Sequence, residues 1–148
     1  MPHAGLMDER SMGAVEGPFM RARLHMRGGL RRLRQGKISA GIVTLYDALE
    51  AAMQSYVADS SARGVLSLLP GENLNNEKTL FRVLVRSRVL DGTFDFDAFD
   101  RLTEKALHEE LPPFDYHELI DGIENAMIRL GVMPFDEASL PAEDPATF

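Results

Sequence analysis

Residues 35–56 read QGKISAGIVTLYDALEAAMQSY, and this stretch decides the fold. Large apolar side chains recur in it every three or four positions, at Ile38, Ile42, Leu45, Leu49, Met53 and Tyr56. That spacing places them on one face of a helix. Gln35-Gly36-Lys37, in front of the helix, has the chemistry of a tight turn. The stretch therefore predicts a helix that folds back on whatever element precedes it.

The preceding element is predicted to be a helix from about Phe19 to Gln35. Its apolar stripe consists of Phe19, Met26, Leu30 and Leu33. Gly28 and Gly29 lie in its interior, where each glycine costs roughly 1 kcal/mol relative to alanine. We therefore expect this helix to depend on packing and to bend at the glycines.

Three more helices are predicted after the hairpin. They run from Asn76 to Val89 with Asn75 as N-cap, from Asp95 or Asp97 to the Pro112-Pro113 pair, and from Asp115 to Gly131. The long loop 58–73 separates them from the hairpin, and we expect it to be anchored by Val65, Leu66, Leu68 and Leu69. The fold class predicted is therefore all-α, a single-domain antiparallel bundle of about five helices with an extended C-terminal tail.

The chain divides into three parts by composition. Residues 1–17 contain few apolar anchors and are expected to be mobile, and residues 18–132 form the bundle. Residues 133–148 are acidic and proline-rich. Because Phe135 and Leu140 interrupt that acidic strip, we expect the tail to pack on the bundle, with these two side chains buried.

Charge is sorted along the chain. Residues 17–46 hold seven basic and no acidic residues, whereas residues 91–148 hold fifteen acidic and three basic ones. Six arginines make up most of the basic set, namely Arg21, Arg23, Arg27, Arg31, Arg32 and Arg34. At 100° per residue they point to several sides of the helix, which favours separate partners over one flat phosphate-binding face. We expect them to pair with acidic helices, within the protomer or across a dimer, and a polyanion such as nucleic acid is the second possibility.

Several function classes are disfavoured by composition. The chain has no cysteine, so thiolate nucleophiles, disulfides and cysteine-ligated metals are excluded. No apolar run is long enough to span a membrane, and a cytoplasmic protein is expected. His108-Glu109-Glu110 and His117-Glu118 do not match the spacings of known helical metal motifs. We therefore predict no metal site and no cofactor.

One pair of residues suggests catalysis. Arg101 and His108 are separated by six residues, and seven positions are nearly two helical turns, so both side chains would leave the same face. With the helical hairpin and the helices after it, this pair resembles the HEPN family of small bacterial helical bundles. The resemblance implies metal-independent RNA cleavage across a homodimer interface. In that role His108 would move a proton and Arg101 would hold the phosphate.

The surrounding charge argues for a different function. Asp100, Glu104, Glu109 and Glu110 would repel an RNA backbone, and Glu104 is placed to form ion pairs with Arg101 and His108. We therefore predict a protein-interaction or regulatory module without catalytic activity, forming a homodimer. The alternative is a HEPN-like ribonuclease or nucleotide-binding module that uses Arg101 and His108.

Overall fold

The computed structural model describes residues 9–59, 61 and 64–148, and this part of the chain contains five α-helices and no strand. The helices are α1 (Glu9–Arg34), α2 (Ile38–Ala58), α3 (Glu77–Arg86), α4 (Phe96–His108) and α5 (His117–Arg129), followed by short 3-10 turns at Glu137–Ser139 and Pro145–Thr147. The predicted all-α bundle is confirmed. The first eight residues of the segment expected to be mobile lie outside the described residues.

α1 and α2 form the hairpin that the sequence predicts. Gly36 makes the turn with a φ of 79°, and the amide of Lys37 donates to the Arg32 carbonyl at 2.9 Å. α1 begins at Glu9, ten residues before the predicted start. Its departure from helical geometry lies at Gly13 (φ 86°, ψ 179°), so the bend predicted at Gly28 and Gly29 was wrong.

Gly29 serves a close approach between the two helices. A Cβ atom built on Gly29 would lie 2.7 Å from the side chain of Leu45, and one built on Gly41 would lie 2.7 Å from that of Leu33. The Gly41 Cβ would also lie 3.1 Å from the carbonyl oxygen of Gly29. The helices therefore touch along their backbones. This contact offsets the cost of the low helix propensity of glycine.

The three shorter helices begin close to where the sequence places them. Asn76, one residue after the predicted cap, accepts from the Thr79 amide at 3.0 Å, and Asp95 accepts from the Ala98 amide at 2.9 Å. The predicted cap Asp115 accepts from the amide of His117 at 3.0 Å. Tyr116 occupies the N-cap position of α5 and makes no side-chain cap bond.

The core lies between the hairpin and the shorter helices. An aromatic group joins α2, α3 and α4, in which Phe81 stacks on Phe96 at 4.8 Å and Tyr46 contacts Phe99 at 5.3 Å. α5 is close to this group as well, because a Cβ on Gly122 would lie 2.6 Å from the Phe94 ring. These contacts bury a continuous apolar interior.

Most of the apolar side chains expected to anchor the loop 58–73 do not face inward. Val65, Leu68 and Leu69 are each more than half exposed, whereas Leu66 is partly buried against the core. Leu107 is 58% exposed, because the buried face of α4 passes through Phe99, Thr103 and Ala106. None of the helices in the described ranges combines the length and the apolar composition that a membrane span requires.

Candidate functional site

α1 carries polar side chains on two opposite sides. Arg21, His25 and Gly29 follow one another at intervals of four residues, and Arg23, Arg27 and Arg31 do the same two positions later, which is about 200° around the helix. We call the side of Arg21, His25 and Gly29 the hairpin side, because it meets α2. We call the side of Arg23, Arg27 and Arg31 the arginine face. Burial on both sides leaves 22–29 without an exposed position.

The arginine face is covered by residues 133–148, the C-terminal segment. The Glu143 carboxylate lies between two guanidinium groups: its Oε1 is 3.3 Å from Nε of Arg27, and its Oε2 accepts a hydrogen bond from Nε of Arg31. Arg27 is 8% exposed and Arg31 is 9% exposed. A charge buried to this degree needs a counter-charge, and Glu143 supplies one.

Aromatic rings of the same segment flank the arginines. Phe148 lies 4.6 Å from the guanidinium carbon of Arg31. Arg23 lies over the ring of Phe19 at 4.4 Å and near that of Phe135 at 5.4 Å. Such contacts between a cation and a ring are worth about 0.5 to 1 kcal/mol at exposed positions. The segment therefore contacts the face through one carboxylate and two rings.

The segment is also fixed where it leaves α5. Val132 is fully buried, and its carbonyl oxygen accepts from Nε of Arg23 at 3.0 Å. Leu140 is buried and Phe135 is half-buried. Between them, residues 136–139 are exposed, and they form hydrogen bonds with one another and with Leu140, whose amide donates to the Glu137 carbonyl at 3.1 Å.

The last turn of α1 concentrates positive charge. Burial lowers the pKa of Arg32, the neighbouring Arg31 lowers it further, and Glu143 acts in the opposite direction. Arg32 donates to the carbonyl of Gly28 at 3.2 Å. Arg34 is exposed. The positive charge of Arg31 therefore helps to lower the pKa of Arg32 even though Glu143 is nearby.

The hairpin side holds a buried polar network with α2. Nδ1 of His25, a side chain only 1% exposed, pairs with Oδ2 of Asp47. Arg21 reaches the same carboxylate oxygen at 3.6 Å from Nε, and it donates from Nη2 to the Gln54 amide oxygen at 3.1 Å. Gln54 in turn donates to Glu50 at 3.3 Å. The network joins the two helices beside their glycine contact.

Glu50 extends the network to the start of α3. Burial raises the pKa of Glu50 to about 7, and the carboxylates of Glu77 and Asp47 add to this, whereas Arg21 opposes it. A hydrogen bond between Glu50 and Glu77 favours the protonated form as well. Glu50 therefore holds a proton near neutral pH that an exposed carboxyl group would have lost.

A cavity of about 330 Å³ opens beside this network. It is lined by Val43, Tyr46, Asp47, Glu77, Asp100, Thr103, Glu104 and Leu107. The Tyr46 hydroxyl donates to Asp100 at 2.7 Å, and Lys78 pairs with the other oxygen of Asp100 at 3.4 Å. Burial and the Asp100 hydrogen bond raise the pKa of Tyr46, so the phenol stays protonated.

Arg101 and His108 lie on the exposed side of α4. His108 is 73% exposed in its side chain, and its Nε2 lies 3.0 Å from Oε1 of Glu104. Arg101 is exposed, and neither residue lines the cavity described above. Among the described residues, no three His, Asp or Glu side chains are grouped to hold a metal ion.

His25, Asp47 and Glu50 were not predicted from the sequence to form a group. A signal was present, because polar residues at four-residue spacing in α1 face polar residues at three-residue spacing in α2, with opposite charges. No protein-family model, curated protein or solved structure matches this chain.

Proposed function

We propose that this protein is an interaction module whose binding surface is the arginine face of α1. The observation that carries the proposal is the Glu143 carboxylate held between Arg27 and Arg31. In this view the C-terminal segment is the resident ligand of the face. A partner would present a similar acidic segment and compete with it.

Burial of the two arginines supports this proposal. Their side chains are only 9% and 11% exposed, and a buried guanidinium left without a counter-charge costs about 3 to 5 kcal/mol. The face therefore selects for an anionic group. The rings of Phe135 and Phe148 on Arg23 and Arg31 add a preference for aromatic residues near that anion.

The covering segment regulates access in this proposal. A tethered ligand competes at an effective concentration on the order of millimolar, so a partner binds only the fraction of molecules in which the face is open. Weakening the contact of Glu143 should raise the apparent affinity for a partner. Access to the face is thereby tied to the state of residues 136–148.

The test uses the full chain and a labelled peptide with the sequence of residues 133–148, MPFDEASLPAEDPATF. Glu143→Arg in the protein repels Arg27 and Arg31, so the face opens and the peptide should bind at least tenfold more tightly than to the unmodified chain. Adding Arg31→Ala should abolish the gain, whereas adding Arg82→Ala, an exposed arginine on α3, should not. Equal peptide binding with and without Arg31 would refute the proposal.

The homodimer stays a prediction that belongs to this proposal, as does the cytoplasmic location. Exposed Val65, Leu68 and Leu69 offer apolar surface for a second copy, and the lack of cysteine fits a reducing compartment. Sedimentation at micromolar concentration measures the assembly state directly. A monomer under those conditions would remove the dimer and leave the arginine face as proposed.

A further inference from the structure

Glu143 brings a single negative charge to a site formed by two arginines. One carboxylate oxygen of Glu143 accepts a hydrogen bond from Nε of Arg31, and the other lies 3.3 Å from Nε of Arg27, which forms an ion pair with it but no hydrogen bond. Arg32 lies one residue further along α1, where burial and, to a smaller extent, the charge of Arg31 lower its pKa, while Glu143 acts in the opposite direction. Arg27, Arg31 and Arg32 thus place three guanidinium groups within six residues of α1, and Glu143 pairs with two of them through a single charge.

The shape of the donor set fits a phosphate group. An arginine guanidinium presents several N–H donors in a fixed plane, and it matches phosphate oxygens in the two-pronged manner that it uses for carboxylates. A phosphate monoester brings a charge of about −1.5 to −2 at pH 7 and three acceptor oxygens. It could therefore satisfy both Nε groups and leave an oxygen for a third donor.

Glu143 is carried to the site by a stretch of chain that can move, so another anion can replace it. The stretch 136–139 is exposed, and its hydrogen bonds reach no further than Leu140, so it can move without disturbing an α-helix. Asp144 and Pro145 beside Glu143 are exposed too. The anchors at Val132 and Arg23 precede this stretch and need not change.

We propose that the site between Arg27 and Arg31 binds a phosphate monoester carried by a phosphorylated protein segment, which displaces Glu143. This inference rests on the proposed function, since it names the chemistry of the partner that the arginine face recognises. Free inorganic phosphate could also bind between these arginines, because it offers the same kind of charged oxygen acceptors. The experiment has to separate these two sources.

The experiment compares three peptides on the full chain carrying Glu143→Gln, which keeps the shape of the side chain and removes its charge. The peptides share the sequence of residues 133–148 and carry glutamate, serine or phosphoserine at the position of Glu143. We expect the phosphoserine peptide to bind at least tenfold more tightly than the glutamate peptide, and the serine peptide to bind most weakly. The phosphoserine affinity should fall as pH drops below about 6, where the phosphate loses its second charge.

Two controls separate the possible failures. Glu137→Gln makes the same charge change in an exposed part of the segment, and it should not increase phosphopeptide binding. If the glutamate peptide binds through Arg31 and phosphoserine brings no gain, this inference is wrong and the proposed function stands. If no peptide binds, the proposed function fails as well.

Inorganic phosphate is the third arm. Phosphate added at constant ionic strength should compete with the phosphoserine peptide only at millimolar concentration, because it lacks the aromatic and backbone contacts of a segment. Competition at micromolar phosphate would identify the free ion as the ligand and overturn the assignment to a phosphorylated segment.

Discussion

The two sides of α1 hold the molecule together in different ways. On the hairpin side, Gly29 and Gly41 bring two backbones so close that no Cβ atom fits between them. On the arginine face, long side chains reach out to Glu143 and to aromatic rings. The first contact cannot open without separating α1 from α2, whereas the second can open by rotating side chains and moving residues 136–148. The difference separates a permanent interface from an exchangeable one.

The largest effect is expected from a side chain placed in the hairpin contact. In Gly41→Val the new Cβ would meet Leu33 at 2.7 Å and the backbone oxygen of Gly29 at 3.1 Å. Since the helices must move apart, we expect a loss of about 3 kcal/mol in the free energy of unfolding, measured in urea. Gly64→Val is the control, because a Cβ there meets no atom within 4 Å. Similar losses in both variants would show that the close approach is unimportant.

The polar network on the same side should be the next most sensitive. Asp47→Asn removes the negative charge that pairs with His25 and Arg21. The carboxylate is 30% exposed, so water can replace part of its interaction with the two cations. We therefore expect a loss of about 2 kcal/mol in the free energy of unfolding, measured by heat or urea. Asp121→Asn, in an exposed pair with His117, should change stability by less than about 0.5 kcal/mol. Equal effects at the two sites would place the network outside the stabilising core.

Glu50 should make the hairpin side sensitive to pH. The pKa of its carboxyl group is raised to about 7 in the folded chain, so between that value and its ordinary value of about 4.5 the folded state binds more protons than the unfolded state. Its contribution to stability is therefore present at about pH 5 and is lost as pH rises through about 7. Glu50→Gln should flatten this decline when unfolding is followed across the range. A parallel pH profile in the variant would assign the decline to other groups.

A change on the arginine face should act locally. Glu143→Gln weakens the contact with Arg27 and Arg31, and the segment can then leave and let water reach the arginines. We expect a loss of about 1 kcal/mol or less in global stability. Amide hydrogen exchange near Leu140 should nevertheless rise several-fold, while exchange in α1 and α2 stays unchanged. Faster exchange throughout the hairpin would mean that the two sides of α1 are not independent.

The smallest effect is expected at the exposed pair on α4. His108→Ala removes a side chain that contacts Glu104 in solvent, so stability should change by less than about 0.5 kcal/mol. RNA incubated with the unmodified protein should remain intact. Cleavage that disappears in the variant would restore the ribonuclease alternative.

Sequence periodicity was sufficient for the helices and insufficient for their contacts. The stripe from Ile38 to Tyr56 predicts α2 because apolar spacing is a local property of the chain. The role of Gly29 depends on where α2 crosses α1. Until that crossing is known, a glycine inside a helix indicates only a lower helix propensity. This is why a bend was predicted where a close contact occurs.

The candidate site shows the same division. The basic residues of α1 stand out by composition, and their spread around the helix indicates separate partners. The pairing of Arg31 with Glu143 joins positions 112 residues apart, so no local pattern could reveal it. His25 and Asp47 are likewise brought together only by the hairpin.

The glycine contact also gives a means of recognising distant relatives of this chain. Gly29 and Gly41 are twelve positions apart, on either side of the turn at Gly36. At each of them a leucine of the opposite helix lies too close to leave room for a Cβ atom. A substitution at one of them would favour a compensating loss of volume in Leu45 or Leu33. Related chains should therefore keep two small residues at this separation, with the facing leucines varying in step, even where the charged residues have diverged.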